Sequence, residues 1–137
     1  MSVSKYFKPT IDVPSPRHIV SQDDISYDKD RHTLTIRGLL PDIWITTVQD
    51  TNSMDPTVDA GHTCILANNF NAEDLAVGDI VVAWAEWRGT DVLHRIIKIE
   101  EDEQGRKFTL KGDNNYRTDP GFVRGNDIKW LLFGIMY

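Results

Sequence analysis

GDIVVAWAEW (78–87) and, across a short Arg-Gly-Thr link, DVLHRIIKIE (91–100) decide the fold. Both runs are rich in β-branched and aromatic residues and are bounded by Gly and Asp, which is how strands read in a sequence. In the second run a two-residue period places Val92, His94, Ile96 and Lys98 on one face. Similar runs lie on both sides: LLPDIWITTV (39–48), TCILAN (63–68), KFTLKGDNN (107–115) and IKWLLFGIMY (128–137). Upstream, ISYDKDRHTLTIRGLL (25–40) holds two short β-prone stretches split by Asp28, Lys29 and Asp30, the signature of a hairpin. NAEDLAVGD (71–79) is the best helix candidate, but it is short and runs into Gly78. The expectation is a mainly β domain of short strands with coiled connections.

At 137 residues and 40% hydrophobic composition the chain can bury one core. Residues 25–137 are expected to form a single β-rich domain. Residues 1–24, with Pro9, Pro14 and Pro16, read as a partly extended N-terminal arm. The net charge of −6 would repel a phosphate backbone, so nucleic acid is not an expected partner. Cys64 is the one cysteine, which excludes an internal disulfide and suggests a buried small hydrophobe. No stretch approaches the ~20 apolar residues of a membrane-spanning helix, nor does the N-terminus carry a signal-peptide core. The reading is a soluble, cytoplasmic chain with no membrane anchor of its own.

Chemistry is suggested by four short patterns in order. They are Thr51-Asn52-Ser53-Met54-Asp55-Pro56-Thr57, Gly78-Asp79-Ile80-Val81-Val82, His94-Arg95-Ile96-Ile97, and Lys111-Gly112-Asp113-Asn114-Asn115 followed by Asp119. A serine hydroxyl becomes a useful nucleophile when a turn exposes it and a base removes its proton. Ser53 follows an extended run and precedes a Pro56-containing turn. Taken alone, Ser-Met-Asp-Pro is also an ordinary turn. His94 sits among Val92 and Ile96 and needs a polar partner, as a base or as a core histidine. An imidazole base works best with a carboxylate on its other nitrogen. Asp113 and Asp119 are both candidates, whereas Asp79 reads as structural.

In this order the patterns resemble the boxes of the type I signal peptidase family, over roughly residues 43–137. The archaeal and endoplasmic-reticulum branch, in which histidine replaces the bacterial lysine, is the better match. The family lies in the clan that also contains LexA-like peptidases, whose catalytic fold is a coiled antiparallel β domain. The resemblance implies a serine endopeptidase that cleaves a protein or peptide substrate through an acyl-enzyme, with no metal and no organic cofactor. Ser53 would be nucleophile and His94 base. Asp119 is favoured as the orienting acid and Asp113 as organiser of its turn, although the sequence does not choose between them. Thr51 matches a position that supports the oxyanion, together with the Ser53 N–H. The runs around residues 42–48 and 80–84 offer strand edges for a peptide, with Ile43, Ile45, Met54 and Val81 as expected substrate contacts.

Two other readings stand beside this one. A non-catalytic peptide-binding or structural β module would keep the fold without the chemistry, in an assembly whose partner the sequence does not name. A self-cleaving LexA-like regulator would use a lysine base and an upstream helix-turn-helix. Residues 1–42 do not read as that motif, and Ala60-Gly61, the one Ala-Gly pair, follows Ser53 rather than preceding it.

Overall fold

The computed structural model describes residues 13–37, 42–49, 51–68 and 70–137. Residues 1–12 of the expected arm and residues 38–41 of the LLPDIWITTV run and its link lie outside the described residues. The rest is mainly β, with nine strands and short 3-10 turns.

The strands β1 (Ile25–Asp28) and β2 (Thr33–Ile36) form the expected hairpin as a two-stranded antiparallel sheet. The remaining strands are β3 (Ile43–Thr47), β4 (Thr63–Ala67), β5 (Ile80–Ala85), β6 (Thr90–Asp102), β7 (Gly105–Lys111), β8 (Phe122–Arg124) and β9 (Ile128–Met136). They make one antiparallel sheet in the order β3-β4-β9-β5-β6-β7-β8. The 71–79 segment contributes only a 3-10 turn at Ala72–Asp74, consistent with its shortness and its run into Gly78.

Alternation along β5 and β6 divides the core in two. Val81, Ala83 and Ala85 of β5 and Val92 and Ile96 of β6 pack with Phe108, Leu110, Val123, Ile128 and Leu131. Ile80 and the half-buried Val82 and Leu93 face a second cluster that contains Met54, Val58, Cys64 and Leu66. With apolar cover on both faces, these strands read as continuous hydrophobic runs. Cys64 is fully buried, and that burial pushes its thiol pKa up.

The structure corrects two placements. A bulge between Ile96 and Lys98 inserts one residue into the β6 ladder, which reverses the alternation: Lys98 points to solvent and Ile99 takes the inward place. Val81, expected to contact substrate, is 0% exposed inside the larger cluster and offers a ligand no surface.

Candidate active site

The nucleophile candidate follows strand β3 on a turn that the local sequence makes tight. Asn52 adopts a left-handed conformation, φ +60°, which Asn tolerates better than most residues. The turn continues into a single α-type turn closed by Val58 N–H donating to the Met54 carbonyl at 3.1 Å. Met54 is thereby buried as an anchor while Ser53 stays partly open.

His94 comes from β6, between the buried Val92 and Ile96, and is itself only 3% exposed. Its imidazole is engaged at both nitrogens. Nε2 lies 3.3 Å from Ser53 Oγ, and Nδ1 lies 2.6 Å from Asp119 Oδ2. Asp119 is held in place by its own backbone, whose N–H donates to the Leu110 carbonyl at 2.8 Å. The next turn presses against Trp87: a Cβ on Gly121 would stand 2.7 Å from the indole Cε3. With Asp119 accepting at Nδ1, the imidazole carries its proton there and leaves Nε2 free to accept from the serine.

Asp113 does something different. Its carboxylate takes a bidentate fork from Arg95, Nε to Oδ1 at 2.9 Å and Nη2 to Oδ2 at 2.8 Å, and also the Thr57 hydroxyl. Burial alone would raise its pKa. The hydrogen bonds from Arg95 and Thr57, together with the positive charges of Arg95 and Lys111, outweigh that and hold the carboxyl below its ordinary value of 3.8. The turn it organises then clamps Ser53. Asn114 N–H donates to the Ser53 carbonyl at 2.9 Å, and the Asn114 amide donates to the Asn52 carbonyl at 2.9 Å. A Cβ on Gly112 would fall 2.5 Å from the Ser53 carbonyl oxygen, so that approach requires glycine. Asp79 is fully buried and accepts from Arg17 Nε and Ala76 N–H, both at 2.9 Å.

Ser53 and His94 open onto a cleft of about 330 Å³ floored by Met54, Val58 and Leu66. Thr51 also lines it, with its hydroxyl 3.1 Å from Ser53 Oγ. One wall comes from β3, which among the described residues is an edge strand paired only with β4, so its outer backbone groups face away from the sheet. Of the expected substrate contacts, Met54 lines the cleft. Ile43 and Ile45 are exposed on the alternate face of β3, and Trp44 and Thr46 take the cleft wall instead. Among the described residues no group of three or more His, Cys, Asp and Glu is arranged to hold a metal ion.

The residues that sequence reasoning did not single out are Arg95, Thr57 and Asn114, which fasten the two loops together. Arg95 carried a readable signal: next to His94 in a strand, it had to point to the opposite face. Asn114 carried none, because its contact depends on how two distant loops meet.

A β domain with a hydroxyl, an imidazole and a carboxylate in one hydrogen-bonded line at a cleft is the class of arrangement that acyl-transfer chemistry uses. No protein-family model matches the chain. The comparison with curated proteins does find relatives. The chain is 38% identical over 80 residues to the putative signal peptidase complex catalytic subunit SEC11B of Homo sapiens, a match covering 58% of this chain and 47% of that protein. It is 38% identical over 80 residues to the signal peptidase complex catalytic subunit SEC11C of Homo sapiens, covering 58% and 41%. It is 32% identical over 76 residues to the signal peptidase complex catalytic subunit SEC11 of Metarhizium acridum, covering 55% and 44%. These relatives are signal peptidase catalytic subunits, and the similarity supports a relationship of the chain to the type I signal peptidase family. The matched stretch spans less than half the length of each of these curated relatives.

Proposed function

We propose that this protein is a serine endopeptidase of signal-peptidase type, in which Ser53 is the nucleophile, His94 the general base and Asp119 the group that orients it. The observation that carries the reading is the unbroken line Ser53 Oγ, His94 Nε2, His94 Nδ1, Asp119 Oδ2, at 3.3 and 2.6 Å. His94 Nε2 takes the hydroxyl proton as Oγ bonds to the scissile carbonyl carbon. The imidazolium then gives that proton to the departing amine, leaving an ester on Ser53. Water, deprotonated by the same nitrogen, hydrolyses the ester and restores the serine. The buried Asp119 carboxylate supports the imidazolium at each stage. The Thr51 hydroxyl and the Ser53 N–H are the donors proposed for the oxyanion, an effect of roughly 3 kcal/mol per donor in other serine peptidases.

The substrate proposed is an extended segment of a protein, added along the open edge of β3 with its side chains entering the cleft past Trp44 and Thr46. The relatives named above are catalytic subunits of a complex, which supports an assembly partner for this chain as well. Residues 25–137 are proposed as the catalytic domain.

The test is treatment with a serine-directed acylating probe, read by intact mass. One adduct that Ser53→Ala and His94→Ala each abolish, in variants that still fold, is the expected result. Absence of any adduct on folded protein between pH 6 and 9 would refute an assembled nucleophile and favour a non-catalytic module of the same fold.

A further inference from the structure

We infer that residues 14–17 of the N-terminal arm are positioning residues for the nucleophile, acting through Arg95 on the two loops that hold Ser53. The inference rests on the peptidase reading for its catalytic consequence.

Three contacts seat this segment. Arg95 Nη1 donates to the Pro14 carbonyl at 2.7 Å and to the Gly78 carbonyl at 3.1 Å. Arg17 Nε donates to Asp79 Oδ2 at 2.9 Å. Between them the arm touches the backbone of Gly78 so closely that a Cβ there would fall 2.0 Å from the Ser15 carbonyl oxygen. Gly78 also has φ +104°, so both its conformation and its bareness are needed for the arm to lie where it does.

Arg95 carries that seat to the site. The guanidinium is rigid and planar, and its donors are fixed relative to one another. One edge binds Asp113 in a fork while Nη1 binds the arm, and the side chain is only 6% exposed. Moving the arm therefore either turns the whole fork or leaves a buried N–H without its acceptor. Asp113 in turn ties the 112–114 turn to Thr57 and, through Asn114, to the Ser53 carbonyl. Residues on both sides of the nucleophile thus depend on one carboxylate whose direction Arg95 sets. His94 and Arg95, adjacent on β6 but on opposite faces, supply the base on one side and this brace on the other.

The experiment uses the full chain with Gly78→Ala, Arg17→Ala and Arg17→Lys. Gly105→Ala is the control, because Gly105 has a comparable φ of +111° but nothing within 4 Å of an added Cβ. Two quantities are read: the maximal acylation rate of Ser53 per folded molecule, separated from probe affinity by varying probe concentration, and hydrogen exchange at the Asn114 amide. Gly78→Ala is expected to lower the maximal rate about 10- to 100-fold with little change in probe affinity, as small misplacements of a nucleophile do. Exchange at Asn114 should quicken about tenfold as its bond to the Ser53 carbonyl opens. Arg17→Ala should move both readouts the same way, with Arg17→Lys restoring most of the loss. If Gly78→Ala matches Gly105→Ala in both readouts, or if melting temperature falls while both stay at the wild-type value, the arm is only structural and the inference fails. Should Gly78→Ala not fold, the Arg17 pair decides by the same criteria. If the wild-type protein is never acylated, the peptidase reading falls separately. Exchange at Asn114 then still decides, since a wild-type rate in the variants overturns the strap and a faster one supports it.

Discussion

Replacing Asp119 with asparagine keeps the shape of the side chain and removes its charge at a point 2.6 Å from His94 Nδ1. The two side chains are 7% and 4% exposed, so water cannot take over the interaction. A hydrogen bond to a charged partner is worth about 2 to 3 kcal/mol, which at 1.36 kcal/mol per decade is roughly 30- to 150-fold in rate. A second loss adds to this. If the new amide turns its NH2 toward Nδ1, the imidazole proton moves to Nε2, which can then no longer accept from Ser53. The analogous change in a serine protease with a Ser-His-Asp triad costs about 10⁴ in kcat. The expected fall for Asp119→Asn therefore lies between about 10² and 10⁴. Folding should be nearly untouched, because the Asp119 backbone is held by Leu110 whatever the side chain. The assay is the single-turnover rate of Ser53 acylation beside a thermal melt, with Asp113→Asn run in parallel. A rate within about threefold of wild type for Asp119→Asn, with Asp113→Asn carrying the loss, would refute the assignment of the orienting acid.

Asp113→Asn should instead lower the melting temperature, because it weakens a buried fork from Arg95 whose loss leaves a guanidinium underpaired, a change of about 3 to 5 kcal/mol when one partner of such a pair is removed outright. Because the folded-state pKa of Asp113 is depressed, its stabilisation is present above the ordinary value of 3.8 and is lost as pH falls through that value and below. Acid titrations of the melt should therefore show a steeper decline for wild type than for Asp113→Asn, and parallel curves would contradict the sign. Thr51→Val is expected to slow acylation about 100-fold, the usual worth of one oxyanion donor; a change under about threefold, measured at saturating probe, would remove Thr51 from that role. Cys64, buried and with its thiol pKa pushed up, should resist a maleimide at pH 7 until the protein is unfolded, and rapid labelling of native protein would show the β4 core to be open.

What the sequence revealed and what it concealed follow from the range of the interactions involved. Strands such as β5 and β6 were legible because β-branched runs between Gly and Asp need only local information. The same alternation failed at Lys98, since a bulge is set by the partner strand, and it overreached at Val81, since a strand covered on both faces has no free side to give a ligand. Strand β8, only Phe122–Arg124, was too short to carry a period. Ser53 and His94 were readable as a pair through the order of the patterns, yet Asp113 and Asp119 were not separable, because both lie in the connection after β7. Their division of labour depends on the fact that β6 presents His94 and Arg95 on opposite faces. A carboxylate reaching one face meets an imidazole, and a carboxylate reaching the other meets a guanidinium. Each partner suits its acid: the imidazole can give up and regain a proton, whereas the guanidinium stays charged and can only hold. One dipeptide in one strand thus separates a group able to move a proton from the brace that keeps the turn of Ser53 in place.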